Sequence, residues 1–167
     1  NRKKNSNDKV FRLTCPDISF SKKDIKIASK SWFDLGFNKN IHTIYFVGTF
    51  MSVFEFEPVK IAALELSKKG IDCQFVLCGN GSYINDVKRL MCGIKNVLFP
   101  GWIDRLMIKS LAEMSVASIA PYKNIDNYIY NVPNKIVDSF MLSKPVLSPL
   151  QGEVAKLIKD HKVGLTY

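Results

Sequence analysis

Histidine is almost missing from this chain of 167 residues, which holds only His42 and His161, and its four cysteines form no CxxC pair. That excludes a zinc finger or a histidine-rich metal centre, since both need closely spaced imidazole or thiolate ligands. The cysteines are Cys15, Cys73, Cys78 and Cys92. Cys73 and Cys78 stand five apart on one predicted strand, so their side chains face opposite sides. The thiols read as free or structural, and the reducing cytoplasm is the simplest compartment for them. No apolar run approaches the roughly 20 residues of a membrane-spanning helix. The polar start, Asn1 to Lys9, has no signal-peptide-like apolar stretch behind it.

Acidic residues are also scarce, with 15 Asp+Glu against 24 Lys+Arg and a formal charge of +9. The excess is uneven: residues 1–30 carry nine cations and three carboxylates, net +6, and the rest of the chain only +3. No base-stacking motif with interleaved aromatics accompanies the basic residues, so nucleic acid is not an expected partner. Residues 1–30, with a turn at Cys15-Pro16-Asp17 and no sustained apolar period, read as a connector or partly ordered arm. Residues 31–167 read as one domain. A hydrophobic content of 47% suffices for its core.

From residue 40 the pattern becomes regular. Strands are predicted over 42–48, 72–78, 96–99, 116–120, 145–148 and 163–166, each a short β-branched or aromatic run. Helices are predicted between them over 58–69, 83–92, 105–114 (capped by Asp104), 133–142 and 151–159. Strands alternating with helices predict a Rossmann-like three-layer α/β/α domain with a parallel sheet of about six strands.

In such a sheet ligands bind at the carboxyl ends of the strands, where strand order reverses. The residues that follow the strands are Gly48-Thr49-Phe50, Gly79-Asn80-Gly81, Gly101-Trp102-Ile103 and Pro121-Tyr122-Lys123-Asn124. Their glycines let a ligand approach the backbone closely, or simply make the turns. Gly79-x-Gly81 is half of a dinucleotide fingerprint, but Ile84 stands at its third glycine position and no acidic partner follows at a strand end. An NAD enzyme is therefore a minor alternative. Pro133 opens a helix whose free N–H groups suit a diphosphate, and Lys135 adds a positive charge. Asp138 is placed to accept hydrogen bonds from vicinal ribose hydroxyls. The plainer alternative is that Pro133 and Asp138 only start a helix while Lys135 is solvated.

These blocks together resemble the C-terminal, donor-binding domain of a retaining GT-B glycosyltransferase of the family 4 (group 1) type, from about Ser31 to Tyr167. The marks are Phe46-Val47-Gly48-Thr49, Phe75 to Gly81, Val97 to Trp102, Ala120 to Asn124, and Pro133-Asn134-Lys135 through Lys144-Pro145-Val146-Leu147 to Glu153. The resemblance implies that a nucleotide-diphosphate sugar binds here as donor substrate. It implies no metal and no other cofactor. Gly48, Thr49 and Phe50 would approach the phosphates, and the glycines Gly79, Gly81 and Gly101 would line the site. Trp102 and Ile103 would carry the base, backbone first. Pro133, Asn134 and Lys135 would meet the diphosphate, and Asp138, the second carboxylate of the family's E-x7-E pattern, the ribose. Lys135 and Asp138 would carry the chemistry.

The sequence departs from the family in three places, the first being that Asp138 is one methylene shorter than the family's Glu. Tyr130 stands where the first Glu of E-x7-E belongs, and Thr49 to Glu57 contains no cation but two carboxylates, Glu55 and Glu57. A catalytically degenerate nucleotide-binding or interaction module is accordingly the alternative. The resemblance further implies an acceptor, a glycan or lipid-linked saccharide, held by an N-terminal domain for which residues 1–30 are too short. Activity of the isolated piece is not expected. The resemblance implies work in the cytoplasm, with peripheral association at the inner membrane face as an open alternative.

Overall fold

The structure, a computed structural model, describes residues 19–167. The turn expected at Cys15-Pro16-Asp17 lies outside the described residues. Six strands form one sheet: β1 (His42–Val47), β2 (Cys73–Cys78), β3 (Val97–Gly101), β4 (Ala117–Ile119), β5 (Val146–Ser148) and β6 (Gly164–Thr166). Their order is β3-β2-β1-β4-β5-β6, and every neighbouring pair is parallel. All six lie within two residues of their predicted positions. Pro100 sits inside β3, which is an edge strand, where a missing N–H costs no ladder bond.

β2 is buried along its whole length, and its side chains divide between two cores. Phe75 and Leu77 join Phe46 of β1 on one side, with Val59 and Ala63 of α2 (Glu57–Lys68) and Val87 of α3 (Ile84–Leu90). Val76 and Cys78 join Tyr45 on the other, with Leu111 and Ala112 of α4 (Arg105–Glu113). Cys73 lies in the first core and Cys78 in the second, as the period-2 argument requires. Ile136 of α6 (Asn134–Met141) and Val154 and Ile158 of α7 (Glu153–His161) extend the first core around Val146. Layers of helix on both sides of a parallel sheet are the architecture the sequence predicts.

Local signals explain the helix ends. Asp104 Oδ1 accepts from the Met107 N–H at 2.8 Å and caps α4. Pro58 sits in the first turn of α2, and Gly70, at φ +66°, follows its end. Pro133 is the cap residue of α6 rather than its first helical residue, so that helix begins at Asn134.

One helix was not expected. α1 (Lys22–Asp34) crosses the boundary set between residues 30 and 31, so residues 22–30 belong to an ordered helix of the folded unit. Ser21 Oγ accepts from the Asp24 N–H at 3.1 Å and caps it. Trp32 is fully buried, and its Nε1 donates to Ser110 Oγ at 2.9 Å on α4. A remaining single turn, α5 (Asp126–Ile129), lies between β4 and α6.

Candidate functional site

The sheet order reverses between β1 and β4, whose onward connections run in opposite directions, so the switch point lies at the carboxyl ends of these two strands. Val47 ends β1 and Ile119 ends β4. Both line a cleft of about 320 Å³ walled by Phe20, Tyr45, Arg105, Ile108, Lys109, Ser118, Lys135, Asp138, Ser139, Met141 and Leu142. A second, more open hollow of about 560 Å³ is lined by Val47, Gly48, Thr49, Gly79, Asn80, Gly81, Trp102, Ile103 and Ile108. The two share Val47 and Ile108, and so form one groove along the carboxyl edge of the sheet.

Lys135 is the residue that joins the elements. From the first turn of α6 its Nζ donates to the Val47 carbonyl at 2.8 Å and lies 5.2 and 5.6 Å from the ring centres of Phe46 and Phe54. The space a side chain on Gly48 would need is filled by Lys135 Nζ and Cε. Burial holds the Lys135 ammonium below the usual lysine range, and Asp138 partly offsets that. Asp138, one turn further along α6, is raised by burial and lowered by Lys135. It accepts from no donor among the described residues, which leaves its carboxylate free for hydroxyls of a ligand. No side chain caps α6, so its first N–H groups are likewise open to an anion.

The groove gathers Gly48, Thr49, Gly79, Gly81, Trp102, Ile103, Lys135 and Asp138. Phe50, Gly101, Pro133 and Asn134 line neither part of it. Phe50 is a correction: its ring is fully buried against Phe46 and Phe56, its N–H donates to Asn80 and its carbonyl accepts from Tyr83. It is a core residue, and no group of it remains for a phosphate. Gly79 and Gly81 have a structural reason as well, because a Cβ at either would overlap the carbonyl of Gly48 or of Phe50. Both also hold positive φ, +128° and +149°. The first and second loops are therefore packed backbone on backbone. Ile103 is nearly buried, whereas Trp102 stands 76% exposed at the rim. Tyr130, also 76% exposed, ends α5 and lines neither part of the groove.

Arg105 and Lys109 were missed from the sequence, because charged residues one and five positions after a helix cap read as solvated. Both face the cleft. Lys109 is held by Glu113 at 3.7 Å, whereas no carboxylate among the described residues pairs with Arg105. These cations stand in the groove although the loop after β1 has none. That loop is instead stitched to the one after β4: Glu55 N–H donates to Pro121 and Lys123 N–H to Val53, at 2.7 and 2.8 Å. Among the described residues no three His, Cys, Asp or Glu side chains gather into a metal-binding group.

A family model, described as glycosyl transferases group 1, matches residues 41–167, which include the whole groove except Phe20. The chain belongs to the group 1 glycosyl transferases. Alpha-D-kanosaminyltransferase of Streptomyces kanamyceticus is 27% identical over 107 residues, 62% of this chain and 26% of that protein. Among solved structures, WaaG, a glycosyltransferase involved in lipopolysaccharide biosynthesis, matches with a TM-score of 0.65 and 14% identity, over 88% of this chain and 38% of that one. A glycosyltransferase from Rickettsia africae ESF-5 gives 0.62 and 15%, again over 88% and 38%. A mutant of S. aureus TarM, in complex with fondaparinux, alpha-GlcNAc-glycerol and UDP, gives 0.59 and 13%, over 78% and 26%. The fold of this group 1 chain is that of the GT-B glycosyltransferases, as the sequence implied. The chain spans 26–38% of the length of these relatives.

Proposed function

We propose that this domain binds the nucleotide-diphosphate sugar donor of a retaining glycosyltransferase, for transfer to a glycan or lipid-linked acceptor held by another domain. The observation that carries the reading is α6, whose Lys135 and Asp138 meet Gly48 at the β1/β4 switch point. A nucleotide-diphosphate sugar presents a base, a ribose diol and a diphosphate, and the groove offers a complement to each. The backbone of Trp102 and Ile103 faces the base. Asp138 accepts from the ribose hydroxyls, and Lys135, Arg105 and the open N–H groups of α6 face the diphosphate.

When the sugar–phosphate bond breaks, negative charge grows on the departing diphosphate. Fixed cations and N–H dipoles in a partly desolvated groove stabilise that charge more than they stabilise the bound donor, which accelerates departure. Lys135 is anchored on Val47 and so needs no reorganisation to do this. The name of the Streptomyces relative, a sugar transferase, and the UDP held by the TarM mutant support the reading. The work is proposed to be cytoplasmic, at or near the inner membrane face. No helix among the described residues is long and apolar enough to cross a membrane.

One observation favours a second reading, a degenerate module of the same fold: Tyr130, at the family's first carboxylate position, points no group into the groove. Titration with UDP, GDP, ADP and NAD separates the two. The donor reading expects one nucleoside diphosphate to bind and NAD not to, with Asp138→Ala weakening the binding about tenfold at unchanged melting temperature. A chain that binds none of the three diphosphates is the degenerate module.

A further inference from the structure

The fold uses only one side of α1. Ala28 and Trp32 are buried, with Ile25 half-buried beside them, and Trp32 ties the helix to α4. The opposite side carries Lys23, Ile27 and Lys30 at i, i+4 and i+7, with Lys22, Lys26 and Phe33 in the neighbouring row. All six are exposed, Ile27 at 55% and Phe33 at 42%. Lys39, whose Nζ lies 5.9 Å from the centre of the Phe33 ring, continues this surface beyond the helix.

These charges work against the helix that carries them. Lys22 and Lys23 stand in the first turn, where the helix dipole disfavours cations. Lys22, Lys26 and Lys30 repel one another at successive i, i+4 spacings. No carboxylate among the described residues forms an ion pair with any of the four. Asp24 is turned to Ser21, whose hydroxyl donates to it at 2.6 Å, and Asp34 stands at the far end of the face. An anionic surface would turn this repulsion into attraction and give Ile27 and Phe33 a place out of water.

The mixture of side chains selects the kind of surface. Lysine is depleted in protein–protein interfaces and lacks the fork with which arginine holds nucleic-acid phosphates. On a bilayer, long lysine stems reach up to the headgroups while apolar side chains between them enter the acyl boundary. Residues 1–18 add a further net charge of +3 to the sequence. We infer that the outer face of α1 docks on an anionic lipid surface, its lysines among the headgroups and Ile27 and Phe33 beneath them. Phe20, two residues before α1, lines the cleft, so the docked helix starts beside the donor groove and brings it to the membrane. The docking face shares no residue with the groove, and rests on the proposed function only for its lipid-linked acceptor.

The test is co-sedimentation of the whole chain with vesicles of phosphatidylcholine, alone or with about 30% phosphatidylserine. Wild type is expected to bind the anionic vesicles and leave the neutral ones. Lys23→Gln/Lys26→Gln/Lys30→Gln is expected to weaken binding about a hundredfold, at about fivefold per lysine. Its melting temperature is equal or higher, because the repulsion is relieved. Ile27→Gln, with charge unchanged, is expected to weaken binding about fivefold. The docking is overturned if wild type ignores anionic vesicles or binds neutral ones as well. It is also overturned if the triple change on α1 matters no more than the same change at Arg2, Lys3 and Lys4, or if Ile27→Gln binds like wild type. Polyglutamate bound as tightly as the vesicles makes the partner an acidic protein and overturns it too. Titration with UDP, GDP and ADP reads the donor site separately: all these variants are expected to match wild type there, so failure of one reading is distinct from failure of the other.

Discussion

Lys135 and Gly48 occupy one corner of the molecule, and each limits the other. Gly48 does not hold a positive φ, so alanine there strains no backbone; its Cβ instead takes the place of Lys135 Nζ. Gly48→Ala is therefore expected to fold, at a cost below about 2 kcal/mol, while the displaced lysine leaves Val47 and nucleoside diphosphate affinity falls about tenfold. Urea denaturation and titration of the same sample separate the two effects. Lys135 also gives a pH signature. Its folded pKa lies below the usual 10.5, with burial the main cause, so the folded state holds this proton less tightly than the unfolded chain does. The charged lysine thus costs stability that is recovered as pH rises through the folded pKa toward 10.5. Lys135→Met lacks that recovery. The stability difference between variant and wild type is expected to shift toward wild type as pH climbs from 7 into that window. A difference that stays flat with pH would show that the lysine is not desolvated. The same group makes diphosphate affinity fall at a lower pH than an exposed lysine would dictate.

At the scale of elements, α1 depends on a single anchor. Ala28 and Trp32 are its only buried residues, and Trp32 both fills the second core and hydrogen-bonds to α4. Trp32→Ala is expected to cost about 3–5 kcal/mol in urea denaturation. Trp32→Phe, which keeps most of the volume and loses the N–H, is expected to cost about 1 kcal/mol plus whatever Ser110 forfeits. α1 escaped the sequence reading because its stripe of Ile25, Ala28 and Trp32 is short and is blurred by Ile27 and Phe33, which stand exposed on other faces. The strands were legible for the opposite reason. His42 to Val47 and Cys73 to Cys78 are continuous β-branched, aromatic and apolar runs, which only a sheet covered on both faces accommodates. Lys135 and Asp138 were legible because Pro133 fixes where α6 begins, and hence which residues belong to its first turns. Phe50 was misread, since position after a strand does not say whether a side chain turns out to a ligand or back to the core.

The whole molecule is a sheet with one carboxyl edge, and that edge carries both the groove and some of the exposed large apolar side chains. Met51, Trp102, Ile125 and Tyr130, on the segments following β1, β3 and β4, are all 45% exposed or more. Exposed apolar side chains on the segments that follow these strands suit a surface that another body covers. Sugar transfer needs such a cover twice over: to hold the acceptor hydroxyl against the anomeric carbon, and to keep water from taking its place. On the proposed reading the groove supplies the donor side, with cations and N–H groups for the diphosphate and a carboxylate for the ribose. The chain by itself is accordingly expected to bind its nucleotide-diphosphate sugar and yet release nucleoside diphosphate no faster than buffer does, whether or not a glycan or lipid-linked saccharide is added. Donor binding by calorimetry and product release by chromatography, run on one preparation, check both halves of that statement. Transfer of sugar to an added acceptor by this chain alone would put the acceptor site within the groove itself and sink the two-domain reading. Binding without transfer leaves α6 and the β1/β4 switch point as the donor half of the reaction.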